Sequence, residues 1–224
     1  MIGVLAGDII GSVYEFTKHK HYDFQPLFHV KSKFTDDTIC TLAVMKSINE
    51  SSCPKTTMHQ FCREYFSTGG WGKRFIQWMC SKDPQPYNSY GNGSAMRIAP
   101  VAFAATSLNE ALMLSDTYTE ITHNHPEGMS AASAVVESIY WAREGLPVND
   151  IRQAISKYYE LDFTIASIRQ KYQRTERALH SVPQAIVAAL ETTSFEDAIR
   201  LAVSLVGDTD THRPQHLQEI YIHQ

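Results

Sequence analysis

The chain has 224 residues, of which 43% are hydrophobic, with 20 basic and 24 acidic side chains and a net charge of −4. A chain this long buries roughly 70% of its unfolded surface, so it needs neither a disulfide nor a metal merely to fold. The acidic balance argues against a nucleic-acid binder that works through bulk charge, and no nucleic-acid partner is required.

The N-terminal stretch from Met1 to Ile10 is apolar but lacks a basic leader and is interrupted by Asp8, so it is expected to be neither a signal peptide nor a span. No other window approaches 18 uninterrupted apolar residues, and no membrane partner is expected. Gly7, Asp8, Gly11 and Glu15 follow a helical beat that puts Asp8 and Glu15 on one face. Glycines there allow another backbone or a ligand to approach. Glu15 is a candidate general base or water-orienting group; an exposed carboxylate is the bland alternative. Residues 22–33 alternate weakly, as an extended connector would. Helical spacing of Ile39, Leu42, Ala43 and Met45 predicts a helix over 37–48.

Residues 67–93 concentrate Gly, Pro, Trp, Tyr and Asn, and predict a long ordered loop around a short helix, Lys73–Cys80. Ser107 and Glu110 make a capping-box pattern that opens a helix over 111–118. An Ala-rich helix is expected over 129–143, with Gly145 as its C′ residue. Asn149 can cap 150–158, Pro183 sits in the first turn of a helix running to Leu190, and Ser194 caps 196–206. Strand alternation is scarce and no repeat is present, so the chain is expected to be one all-α domain. Cys40, Cys53, Cys62 and Cys80 form no C-x-x-C pair. They are expected to be reduced thiols of a cytoplasmic protein, each packing as a small hydrophobe.

Thr35-Asp36-Asp37-Thr38 sets adjacent carboxylates at a helix start, where the dipole favours negative charge. A cap needs one of them. Held together, two repel unless a cation or a shared proton offsets the repulsion. Hard ions such as Mg²⁺ and Mn²⁺ take oxygen ligands of this kind. Gly207-Asp208-Thr209-Asp210-Thr211 repeats the chemistry after an apolar helix, and in an extended segment Asp208 and Asp210 face the same way. Together the clusters offer carboxylates and hydroxyls enough for a pair of octahedral ions. Taken singly, each is also compatible with a plain cap or a solvated turn.

Ser89-Tyr90-Gly91-Asn92-Gly93-Ser94-Ala95-Met96-Arg97 is the densest motif. Its alternating glycines permit positive φ and predict a cradle of backbone N–H groups for phosphate, with Ser94 opening a helix. Asn92 can bond a ribose hydroxyl and Tyr90 can stack on a ring. It is not a Rossmann fingerprint, and a Gly-Asn turn with a packed Met96 is the competing explanation. His123 and His125 have the i, i+2 spacing of some metal sites but no third nitrogen or sulfur ligand nearby. His123 is the candidate donor to a phosphate or ribose, a satisfied structural histidine being the default for either.

In order and context, Gly7-Asp8-Ile9-Ile10-Gly11 with Glu15, the Thr35–Thr38 cluster, the Ser89–Arg97 motif, Thr122-His123 and the Gly207–Thr211 cluster resemble the ADP-ribosylglycohydrolase family. Asn88-Ser89 and His123-Asn124-His125-Pro126 look most like its compact bacterial members. The resemblance implies an all-α orthogonal multi-helix bundle over 1–211, with 212–224 as an atypical tail. It implies two Mg²⁺ or Mn²⁺ ions on Thr35, Asp36, Asp37, Asp208, Asp210 and Thr211. Catalytic roles fall on Glu15, Asp36 and Asp37, and ADP-ribose falls on Ser89, Tyr90, Gly91, Asn92, Gly93, Ser94 and His123. Glu15, or Asp36 acting through the metals, would take a proton from the attacking water.

The implied activity is removal of ADP-ribose from a protein side chain or a small acceptor. Two other possibilities stand beside it: a non-catalytic ADP-ribose-binding or structural relative, and an immunity factor against an ADP-ribosylating toxin. Residues 73–86 are the candidate rim for acceptor choice. After Thr211 the sequence departs from the family's small-residue helix, and Val206 stands where a glycine is usual. A truncated or frameshifted gene would produce this, and self-association or instability is expected.

Overall fold

The computed structural model describes residues 1–15, 17 and 20–205. Asp208, Asp210 and Thr211, the 212–224 tail and the end of the 196–206 helix lie outside the described residues. Within them the architecture is helical: α1 (Ile2–Gly11), α2 (Asp36–Asn49), α3 (Pro54–Glu64), α4 (Lys73–Cys80), α5 (Ala99–Ala104), α6 (Leu108–Thr119), α7 (Pro126–Arg143), α8 (Val148–Ile155), α9 (Ile165–Ile168), α10 (Val182–Leu190) and α11 (Phe195–Val203). No strand occurs among the described residues, only an isolated antiparallel bridge between Gly91 and Arg177. No described helix is long and apolar enough to cross a membrane.

Helix α7 is the organising element and packs against α5, α6, α8 and α10. Its buried face is built from small residues, Gly128, Ala131, Ala132 and Ala134 followed by Val135, Val136 and Ile139, which let neighbouring backbones come close. It begins three residues before the expected start. His125 is the reason: its side chain accepts from the Glu127 N–H, and Pro126 opens the first turn. The helix ends on Gly145 at φ +76, as its role at C′ requires. A smaller cluster of Ile10, Phe24, Ile199 and Val203 joins α1 to α11.

Several local expectations shift. Helix α1 stops at Gly11, so Glu15 lies in the following turn and not on the helical face of Asp8. Ser107 caps α6 by accepting from Glu110 N–H, but the Glu110 carboxylate turns back to Thr106 N and Oγ1 rather than to Ser107. Helix α8 starts at Val148 after Pro147, without a side-chain cap from Asn149. Ser194 does cap α11, accepting from Asp197 N–H. Cys40 and Cys62 are buried, whereas Cys53 and Cys80 are exposed, so only the first pair packs as hydrophobes.

Candidate active site

The acidic start of α2 is organised by Asp8. That carboxylate, 3% exposed, accepts four hydrogen bonds: Thr35 N–H (2.8 Å), Thr35 Oγ1 (2.7 Å), Thr38 N–H (3.3 Å) and Thr38 Oγ1 (2.6 Å). Helix α1 thereby fixes the residues on both sides of Asp36 and Asp37, which are themselves buried at 5% and 3% exposure. Thr35 is the N-cap, in extended conformation, and its Oγ1 also accepts from Asp37 N–H. The Thr35 hydroxyl gives its hydrogen to Asp8 and sets a neutral oxygen beside two carboxylates. That donor set suits a hard divalent cation. Among the described residues no group of three or more His, Cys, Asp or Glu side chains is gathered as a metal cluster. The other expected ligands, Asp208, Asp210 and Thr211, fall outside the described residues.

A cavity of about 250 Å³ opens beside Asp36. Ser89, Gly91, Asn92, Gly93 and His123 line it, as do Met96, Arg97, Tyr87 and Glu176. Lys73, Arg74 and Phe75 of α4 stand at its edge, within the stretch expected to form a rim. Stacking of Trp71 on Phe75 (5.7 Å) and of Phe75 on Trp78 (5.4 Å) anchors that helix. The Arg74 guanidinium lies over the Tyr87 ring at 4.9 Å. Burial pushes the Tyr87 phenol up to about 12, so it enters the cavity wall protonated.

Two expected binding residues sit elsewhere. Tyr90 is exposed on the outer side, edge-on to His125 and beneath the Arg177 guanidinium, which also pairs with Glu127. Ser94 is fully buried under the loop, its hydroxyl on Gly91 O. Glu15 is buried at 6% exposure, in a turn whose carbonyl accepts from Arg174 Nη1.

The glycine loop works differently from the expected anion cradle. Its left-handed residue is Asn88 (φ +53), while Gly91 has an ordinary φ of −72. Gly91 N–H is held by Ser89 Oγ, Asn92 N–H by Glu176 O, and the Asn92 amide by Ser181 Oγ. Ser94 closes a single 3₁₀ turn rather than opening a helix. The glycines are there for space. A Cβ on Gly93 would sit 3.1 Å from His123 Nε2, and one on Gly128 would sit 2.7 Å from Ser89 O. The loop, the 122–123 segment and the start of α7 therefore pack as one wall, with His123 pressed against the glycines.

The sequence was silent on Arg97 as a site residue. Its guanidinium is 1% exposed and bonds Thr122 Oγ1 at 2.5 Å, next to His123. An arginine at the end of a Gly-rich motif was the available signal. Asp8 was visible as an acidic residue, but its hold on Thr35 and Thr38 depends on α1 crossing α2.

ADP-ribosylarginine hydrolase Tri1 of Pseudomonas putida (strain GB-1) is 24% identical across 94% of this chain and 66% of its own length. ADP-ribosylhydrolase ARH3 of Mus musculus is 25% identical across 75% of this chain and 55% of its own, and the Homo sapiens protein is 26% identical across 65% and 49%. The chain thus spans between about half and two thirds of the length of these curated relatives. A solved structure described as an ADP-ribosylglycohydrolase-related protein complex shares the fold, with a TM-score of 0.66, 22% identity and coverage of 98% of this chain and 85% of that one. The sequence pattern of the ADP-ribosylglycohydrolase family matches residues 1–212, from the Asp8 helix through the Asp36 corner to the His123 wall, and the chain belongs to that family.

Proposed function

We propose that the chain is a metal-dependent hydrolase that cleaves the N- or O-glycosidic bond between ADP-ribose and a protein side chain or small acceptor. The observation that carries this is the Asp8-pinned start of α2, with Thr35, Asp36 and Asp37 beside a cavity walled by Ser89, Gly91, Asn92, Gly93 and His123. Thr35, Asp36 and Asp37 would hold Mg²⁺ or Mn²⁺ together with Asp208, Asp210 and Thr211. Bound there, the ions would polarise ribose oxygens and lower the pKa of a water molecule.

The chain's own residues supply the rest. His123 and Asn92 bond sugar or phosphate oxygens, and the buried Glu15 carboxylate takes the proton of the attacking water. Protonated Tyr87, under Arg74, closes the wall and excludes bulk water. The products are free ADP-ribose and the unmodified acceptor. ADP-ribosylated arginine is the first acceptor to try, since the relative from Pseudomonas putida is named for it.

The test is calorimetry on chelator-treated protein, adding Mg²⁺ or Mn²⁺ and then ADP-ribose, followed by turnover on ADP-ribosylated arginine, serine and small-molecule substrates. Cation-dependent binding with release of ADP-ribose from at least one substrate is expected. Cation and ADP-ribose binding without turnover on any substrate would identify a binding protein instead.

A further inference from the structure

His123 faces the cavity with Nε2 against the glycine loop, and its other ring nitrogen, Nδ1, is 2.7 Å from Thr122 Oγ1. Which nitrogen carries the proton decides whether the cavity is offered a donor or an acceptor. The answer is written in Arg97. A guanidinium only donates, so at 2.5 Å Thr122 Oγ1 must accept from Arg97 Nη2. The Thr122 side chain is fully buried, and its oxygen has two hydrogen-bond partners, Arg97 and His123 Nδ1. If Nδ1 carried the proton and donated to Thr122, the hydroxyl hydrogen would have no acceptor among the described residues at a fully buried position, which is penalised. The hydroxyl therefore donates to Nδ1, and the neutral ring carries its hydrogen on Nε2.

We propose that Arg97 and Thr122 are positioning residues that act through His123. The Arg97–Thr122–His123 chain fixes the ring as the Nε2–H tautomer, the form whose Nε2 edge can donate to a ligand oxygen. On the function proposed above, that oxygen belongs to the ribose or diphosphate of ADP-ribose. Arg97 is suited to the task because a guanidinium only donates, and its Nη2 also reaches Tyr118 O (3.5 Å), which anchors it to the end of α6. Gly93 completes the device, since any Cβ there would press on the donor atom.

Long-range ¹H–¹⁵N correlation spectra of the full chain, with His123 assigned through His123→Gln, read the tautomer directly. The wild-type protein is expected to show an unprotonated Nδ1 and a protonated Nε2. Thr122→Ser keeps the hydroxyl and should keep that pattern. Thr122→Val removes it and should release the ring into a mixture of tautomers, with ADP-ribose bound about tenfold more weakly. A protonated Nδ1 in the wild-type protein, or an unchanged pure Nε2–H tautomer in Thr122→Val, would overturn the proposal. The wild-type and Thr122→Ser spectra decide the matter even where Thr122→Val does not fold. Failure of the wild-type protein to bind ADP-ribose, with the tautomer as expected, would sink the proposed function and leave the relay standing.

Discussion

Asp8 and Glu137 are both buried helix carboxylates, yet they are compensated in different ways. Glu137, on α7, receives the Lys157 ammonium at 2.8 Å, the Tyr158 hydroxyl at 2.9 Å and the Trp141 indole N–H at 3.2 Å. Its charge is met by a cation, and the cluster ties α7 to the segment after α8. Burial, and then the bond to Glu137, raises the Tyr158 phenol well above its ordinary range. Among the described residues, Asp8 receives only neutral donors, two backbone N–H groups and two hydroxyls. The same kind of side chain is thus a finished structural clamp in one corner. In the other it fixes the two threonines that flank two further carboxylates. The difference marks where chemistry is to be expected, because a corner that gathers acids and hydroxyls suits a cation in a way the Glu137 corner, with its lysine, does not.

Substitutions can break that contrast. Asp36→Asn should have the largest effect, lowering ADP-ribose release by at least about 10²-fold while the melting temperature stays near wild type; rates and thermal melts on the same preparation check it. Asp8→Asn comes next. One Asn atom no longer accepts, so a threonine hydroxyl loses its acceptor and the corner loosens, with an expected loss of about 10–100-fold in rate and weaker cation binding by calorimetry. Glu137→Gln should do the reverse: a loss of about 2 kcal/mol in denaturant unfolding, from weakened charge-assisted bonds, with the rate unchanged. If Asp8→Asn cost only stability, or Glu137→Gln only activity, the contrast would collapse.

The smallest effect belongs to the surface pair of Arg177 and Glu127. The Arg177 guanidinium holds the Glu127 carboxyl below its usual range. A lowered folded-state pKa means the pair's contribution is present above the ordinary glutamate pKa and fades as pH falls through the lowered value. Arg177→Gln should therefore lower the melting temperature by under about 3 °C at neutral pH, and the difference should vanish once the pH is well below the lowered Glu127 value.

Much of the local structure was legible because it depends on residues close in sequence. The Thr-Asp-Asp-Thr run, the helix of α4 and the Ser194 cap each depend on residues a few positions apart. Helix α5 was missed because Ala99–Ala104 is short and apolar nearly all round, so it has no period to read. Helix α3 buries a narrow stripe of Thr57, Met58 and Cys62 that gives little pattern. The loop glycines looked like φ-switches, whereas the constraint is His123 and Ser89 pressing from other segments. The roles of Asp8 and Arg97 escaped for the same reason. Their partners lie 27 and 25 residues away, brought close only by helix crossings.

The measurement closest to the central claim is the initial rate of ADP-ribose release from an ADP-ribosylated arginine substrate, titrated with Mg²⁺ or Mn²⁺ after chelation, for wild type beside Asp36→Asn. The account predicts release that appears only as the cation is restored and is absent in the variant. Release by wild type that is equally fast in chelator, or by Asp36→Asn at the wild-type rate, would contradict it.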